Sequence, residues 1–196
     1  MPSPEEIRER LAHGQAQFGE GVTVVAATKY VSLRDMATLV EAGVTVVGEN
    51  RAQDLDAKHA EYGDAFRWHF IGQLQSNKAK VVNRICELVH SVDSLSAARR
   101  LEVPMLVQVN LAGEASKAGV VPEELQAYLE FDVRGLSTMP PAAASPEESR
   151  PWFTRLRGLA AEHGLRELSM GTTQDFAVAA EEGATHVRVG SILFRD

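Results

Sequence analysis

Cysteine is nearly absent from this sequence: Cys86 stands alone among 196 residues. A lone thiol cannot close an intramolecular disulfide, and its isolation suits a reducing compartment, so a cytoplasmic protein is the expectation. Long apolar runs are missing too. No stretch approaches the ~20 residues that a helix needs to cross a bilayer, which argues against a helical membrane span. The opening residues, MPSPEEIRER, are polar and charged, with no basic stretch leading into an apolar one, so no secretory signal is read there. An excess of positive charge is also lacking: 27 acidic against 20 basic side chains leave a formal net charge of −7. That balance argues against a general nucleic-acid binder, while leaving room for a local basic pocket around one phosphate.

What is present is the composition of an ordinary globular protein, with 44% hydrophobic and 24% charged residues, and a length that suits one domain with a real core. Apolar runs bounded by turn signals recur along the chain at Val22–Lys29, Thr45–Asn50, Trp68–Gln73, Leu88–Asp93, Met105–Asn110, Val133–Thr138, Leu165–Gly171 and His186–Ile192. Several are continuous β-branched runs, as expected when both faces of a parallel sheet are covered. Helical signals lie between them. Ser32 is placed to cap a helix with Leu33, Met36, Leu39 and Val40 on one face and Gly43 as the stop. Pro122 and Ser145-Pro146-Glu147-Glu148 open further helices, and Thr173 through Glu182 forms another, ended by Gly183. Strands alternating with helices predict a single-domain (β/α)8 TIM-type barrel. An open flavodoxin-like sheet is the competing architecture. The chain is short for a barrel, which typically runs to ~250 residues, and SLSAARRLEVP and AYLEFDVRG leave little room for complete helices.

The predicted strand ends carry the polar residues, on the face where barrels of this class place their sites. Met170-Gly171-Thr172-Thr173-Gln174-Asp175 follows the seventh run, and Gly190 and Ser191 end the eighth. Glycine for close backbone approach, hydroxyls, and the unpaired N–H groups of a helix start together suit a phosphate; each alone is routine capping chemistry. Lys29 closes the first run. Its position leaves it open between a solvated strand end and an amine in a partly desolvated site, where a lowered pKa would give the neutral form that attacks an aldehyde. In a closed barrel the eighth strand lies beside the first, so Arg188 would share that mouth. A permanently protonated arginine can donate to a pyridine nitrogen without protonating it; the bland reading is an ion pair, for instance with Glu49.

At these residues the sequence resembles the pyridoxal phosphate homeostasis proteins, a family of alanine-racemase-like barrels. The resemblance spans nearly the whole chain. It rests on Ala26-Ala27-Thr28-Lys29, Gly48-Glu49-Asn50-Arg51, His69-Phe70-Ile71-Gly72 with Leu74-Gln75 and Asn77-Lys78, and His90-Ser91-Val92-Asp93. It continues through Gln108-Val109-Asn110, Gly135-Leu136 with Met139-Pro140, Leu168-Ser169-Met170-Gly171 with Asp175, and Val187-Arg188-Val189-Gly190. The resemblance implies that Lys29 holds pyridoxal 5'-phosphate (PLP) as a Schiff base. It further implies that Thr173, Gly190 and Ser191 hold the phosphate, that Arg188 faces the ring nitrogen, and that Asn50, His69 and Met170 line the pocket. Gly171-Thr172-Thr173 stands where the family usually has Gly-Met-Ser, which keeps a hydroxyl at Thr173. Ser137 replaces a usual apolar residue, and the chain ends at Phe194-Arg195-Asp196 without the usual glycine.

The implied function is intracellular PLP homeostasis: binding the cofactor and delivering it to apo forms of PLP-dependent enzymes, without strong turnover. The alternative is a PLP-dependent amino-acid racemase, and a third reading makes Lys29 the Schiff-base lysine of a phosphate-binding barrel enzyme without PLP. Racemisation needs a second base on the far face of the imine, which in similar racemases comes from a second domain, and none is read after the eighth run. Lys117 reads as a solvated loop lysine that could otherwise meet the cofactor. Lys78 and Lys80 read as helix surface, and Cys86 as core. The histidines show no ligand spacing, so no metal is expected, and the protein is expected to be a monomer.

Overall fold

The computed structural model describes residues 1–18, 21–114 and 117–194. Parallel strands close into a barrel in chain order: β1 (Thr23–Ala27), β2 (Val46–Glu49), β3 (Arg67–Phe70), β4 (Leu88–Val92), β5 (Met105–Gln108), β6 (Val133–Ser137), β7 (Glu167–Thr172) and β8 (His186–Val189). Each strand overlaps one of the predicted runs, β3 starting one residue earlier at Arg67 and β7 ending one residue later at Thr172. Direct pairing of β8 with β1, Val25 opposite Arg188, closes the barrel and excludes the open sheet. Except for β7, the strands stop short of the ends of the runs that predict them. Lys29, Asn50, Gln73, Asp93 and Asn110 therefore sit in the loops just past the strand ends.

Short connections account for the short chain. The helices after the strands are α2 (Met36–Glu41), α3 (Ala52–Tyr62), α4 (Ala79–Ile85), α5 (Leu95–Ala98), α6 (Arg150–Glu162), α7 (Phe176–Glu181) and α8 (Ser191–Phe194), while β5 and β6 are joined through a 3-10 turn at Pro122–Tyr128. Residues 195 and 196, where the sequence departs from the family at its end, lie outside the described residues. Before β1 comes α1 (Pro4–Phe18), which the sequence reading does not mark. It packs against α2, α7 and α8 and covers the side of the barrel where α8 contributes only about one turn.

Two predicted helix starts shift for local reasons. Ser32 does meet Asp35, its hydroxyl donating to the carboxylate at 2.7 Å. The backbone there runs in i to i+3 turns, with Asp35 N–H on Ser32 O and Met36 N–H on Leu33 O, so the α-helix begins only at Met36. Of the predicted apolar face, Met36 and Leu39 are buried while Leu33 and Val40 stay exposed. Gly43 supplies the stop at a φ of +79°, a left-handed conformation that a Cβ disfavours. Glu182 closes the seventh connection as expected, but α7 starts at Phe176 rather than Thr173.

Side chains alternate between two environments. Val47, Trp68, Phe70, Val107, Leu136, Leu168, Met170 and Val187 pack outward with Leu39, Leu55, Val82, Phe153, Leu156 and Ala179 of the helices in one apolar layer. Cys86, just past α4, is buried in that layer, and burial pushes its thiol up to about 12. The inner face is unusually polar for a barrel, in which branched apolar residues usually fill the interior. Here it contains His69, His90, Ser137, Ser169 and Arg188, all buried. Among the described residues no helix is long and apolar enough to cross a membrane.

Candidate functional site

The mouth is built where β1, β7 and β8 end side by side. Lys29 falls in a turn immediately after β1, closed by the Val31 N–H on the Thr28 carbonyl at 2.8 Å. Its side chain is exposed, and its Nζ lies 5.0 Å from the centre of the Tyr30 ring. A cavity of about 560 Å³ opens there, and its lining includes Ala27, Lys29, Thr172, Thr173, Arg188, Gly190 and Ser191. Five of the eight residues implied by the resemblance thus share one cavity.

Arg188 forms its buried wall. Its Nη2 donates to the Thr138 carbonyl at 2.8 Å and to Met139 Sδ at 3.1 Å. Its Nε is buried and has no hydrogen-bond partner among the described residues. Burial draws the guanidinium down to about 10, against the opposing pull of Asp175, so it keeps its proton at neutral pH. Among the described residues it makes no ion pair with a carboxylate. Glu49, the carboxylate named for the bland reading, is instead paired with Lys58. A buried cation with an unused donor leaves the cavity electropositive and short of one acceptor.

The loops after β7 and β8 are tied together by Thr173. Its hydroxyl accepts from the Gly190 and Ile192 N–H groups at 3.4 and 3.5 Å, rather than capping α7. The start of α7 is held by Asp175, whose carboxylate accepts the Thr172 N–H at 2.7 Å and its hydroxyl at 3.1 Å. Gly171 sits at a φ of +87°, and a Cβ there would fall 2.5 Å from Ala179 Cβ. Gly190 approaches the Ala27 carbonyl, which a Cβ would meet at 3.3 Å. Weakly held N–H groups, three hydroxyls and two glycines are therefore gathered beside the arginine. The residues present fit a phosphorylated ring whose nitrogen accepts a hydrogen bond and whose phosphate accepts several.

The structure does not bring Asn50, His69 and Met170 into that lining. Asn50 belongs to a separate cavity of about 510 Å³ with Arg51, Phe70, Gln73 and Lys78. Met170, the neighbour of the inward Ser169, points into the apolar layer behind the barrel and is fully buried. His69 lies within the barrel, its Nδ1 2.9 Å from His90 Nε2, and His90 Nδ1 lies 2.7 Å from Ser169 Oγ. His186 completes the cluster, its ring centre 5.2 Å from that of His90 and 5.9 Å from that of His69. Burial above all, then neighbouring positive charge, lowers all three: His69 to about 3, His186 to about 4 and His90 well below its ordinary value. Among the described residues no group of three or more His, Cys, Asp or Glu side chains is placed to hold a metal ion.

Lys117 is less solvated than its loop position implies. Its ammonium donates to the Pro140 carbonyl at 2.9 Å and lies 3.2 Å from Glu114, in a second cavity of about 910 Å³ that shares Thr172 and Gln174 with the first. Sequence reasoning misses Lys58, which reaches the back of the Lys29 turn from α3. A signal existed: Ala52, Leu55 and Lys58 recur every three residues, and all three are buried.

No family model matches the chain. It is, however, 41% identical to the pyridoxal phosphate homeostasis protein of Pseudomonas aeruginosa over 96% of this chain and 90% of that one. Identity to the protein of the same name from Aquifex aeolicus is 36%, over 96% and 94% of the two chains. Among solved structures it superposes on PipY of Synechococcus elongatus PCC7942 with PLP bound at a TM-score of 0.87, with 35% identity, covering 96% of this chain and 99% of that one. A lysine/ornithine decarboxylase from Vibrio vulnificus shares the fold alone, at a TM-score of 0.73 and 17% identity. With near-complete coverage on both sides and identities above 30%, the chain belongs to the pyridoxal phosphate homeostasis protein family.

Proposed function

We propose that this chain binds PLP in the mouth cavity, covalently through Lys29, and serves PLP homeostasis by holding the cofactor and passing it to PLP-dependent enzymes. One observation carries the reading: an exposed lysine, a buried arginine with a free donor and two hydroxyl-bearing glycine loops open into the same cavity. The PLP-bound relative and the shared family support it. When bound, PLP supplies an aldehyde that condenses with a primary amine with loss of water.

Each residue has a separate task. Lys29 presents its amine at the solvent-exposed edge, where the linkage is open to release as well as capture. Arg188 would face the ring nitrogen as a hydrogen-bond donor and, being still protonated, would not give up a proton to it. An unprotonated ring withdraws electrons poorly, which favours holding over turnover. Thr173, Gly190 and Ser191 hold the phosphate, Thr173 already joining the two loops.

The test is the visible absorbance of PLP-loaded protein, followed by borohydride reduction and peptide mapping. Label on Lys29 is the expected result; a colourless protein that takes up no PLP, or label on another lysine, overturns the proposal. Racemase, decarboxylase and transaminase assays on a panel of amino acids separate holding from catalysis. Negligible turnover is expected, and robust racemisation would favour the enzyme instead.

A further inference from the structure

The carbonyl of Thr28 belongs to the peptide that leads into Lys29, and it is held from two sides. The Val31 N–H donates to it across the turn, and the Lys58 ammonium donates to it at 2.8 Å. Lys58 is 5% exposed and Glu49 fully buried, and the two form a tight ion pair. Glu49 Oε1 also accepts the Thr28 hydroxyl at 2.7 Å, and its Oε2 accepts the Asn50 N–H at 3.3 Å. One buried network therefore joins the ends of β1 and β2 to α3. A buried ion pair returns little net stability once both charges are desolvated, and apolar residues of similar volume often do as well. What this pair supplies that apolar residues could not is a directed hydrogen bond to one chosen carbonyl.

We propose that Lys58 and Glu49 are a positioning pair for Lys29. By fixing the plane of the peptide between Thr28 and Lys29 they hold the exposed Lys29 side chain at the mouth cavity that it lines. The proposal rests on Lys29 being the cofactor lysine. Lys58 itself is buried and committed to two acceptors, so it is not the amine that meets the aldehyde.

The test uses the full chain in three forms: wild type, Thr28→Val, and the double variant Glu49→Gln with Lys58→Met. The double variant removes both charges at once, so neither is stranded unpaired in the interior. Two quantities are read. Hydrogen exchange of the Val31 amide is measured without cofactor, and the rate at which PLP and borohydride label Lys29 is measured with it. The double variant is expected to keep the wild-type fold by circular dichroism while Val31 exchanges faster relative to the amides of β5 and β6. Its Lys29 labelling is expected to slow at least about tenfold, as misplacement of a reacting group costs. Thr28→Val keeps the ion pair and should move both readouts less. A folded double variant that labels Lys29 at the wild-type rate overturns the proposal, whatever happens to Val31. Wild-type protein that labels elsewhere or not at all overturns the cofactor reading, and this proposal with it.

Discussion

At the scale of single residues, Arg188 is the most consequential side chain. It is a desolvated cation that, among the described residues, makes no ion pair with a carboxylate and leaves part of its hydrogen-bonding capacity unused. Such a group is expensive to bury, and here it lines a cavity that suits an acceptor. Arg188→Gln removes the charge while keeping an amide donor near Thr138. The expected outcome is a PLP affinity about tenfold weaker, the loss of one hydrogen bond from a charged donor, with a melting temperature unchanged or higher. Absorbance titration against thermal melts checks both halves. An unchanged affinity would mean that Arg188 does not face the ring. This residue was legible in the sequence because a charge inside an apolar strand has few ordinary explanations. Lys58 was not, because a lysine in a charged helix usually faces water, and only its three-residue spacing from Leu55 hinted otherwise.

At the scale of elements, the β7 to α7 connection carries the most constraint in the smallest space. Gly171 combines a left-handed φ with a wall formed by Ala179 and Phe176. Gly171→Ala is therefore expected to cost about 2 kcal/mol or more, from backbone strain and overpacking together. That corresponds to a fall in melting temperature of roughly 4–8 °C for a chain of this size. Because Thr172 and Thr173 follow directly, PLP affinity should fall as well. A variant that melts like wild type would show that the loop relaxes freely. The sequence placed this loop correctly from its glycine and hydroxyls. It did not show how the loop is held, since Thr173 reaches across to the start of α8 while Asp175 turns back to Thr172. Capping rules describe neighbours along the chain and are blind to a loop from another strand.

At the scale of the whole molecule, the polar barrel interior governs the response to acid. His69 and His186 titrate in the folded protein at about 3 and 4, and His90 well below its ordinary value, whereas in the unfolded chain each titrates near 6.5. Below that pH the unfolded chain binds protons that the folded protein refuses. Stability is therefore fully present above about pH 6.5 and declines toward pH 4, by roughly 1.4 kcal/mol per pH unit for each histidine. Urea midpoints should be level between pH 7 and 8 and then fall steeply between pH 6.5 and 5, before most carboxylates titrate. His186→Asn should lessen that slope by about one proton; an identical slope would show that His186 is not buried neutral. Three histidines scattered along the sequence gave no sign of this cluster, because it exists only where β3, β4 and β8 turn their inner faces together.

The sequence by itself determined the strand count, the barrel and the polar residues that follow the strands, because β-branched runs, turn residues and helix signals act over a few neighbouring positions. It also named the lysine and arginine of the mouth and the family to which the chain belongs. Only the tertiary structure decided which of the named residues meet. Closure of β8 onto β1 put Arg188, Lys29 and the two loops around one cavity, while strand alternation turned Met170 into the apolar layer and enclosed His69 within the barrel. It also supplied the partners that no local pattern encodes, Lys58 behind Lys29 and α1 beside α8. Their contacts join segments remote in sequence, and burial, rather than any property of the residues alone, sets what those side chains do.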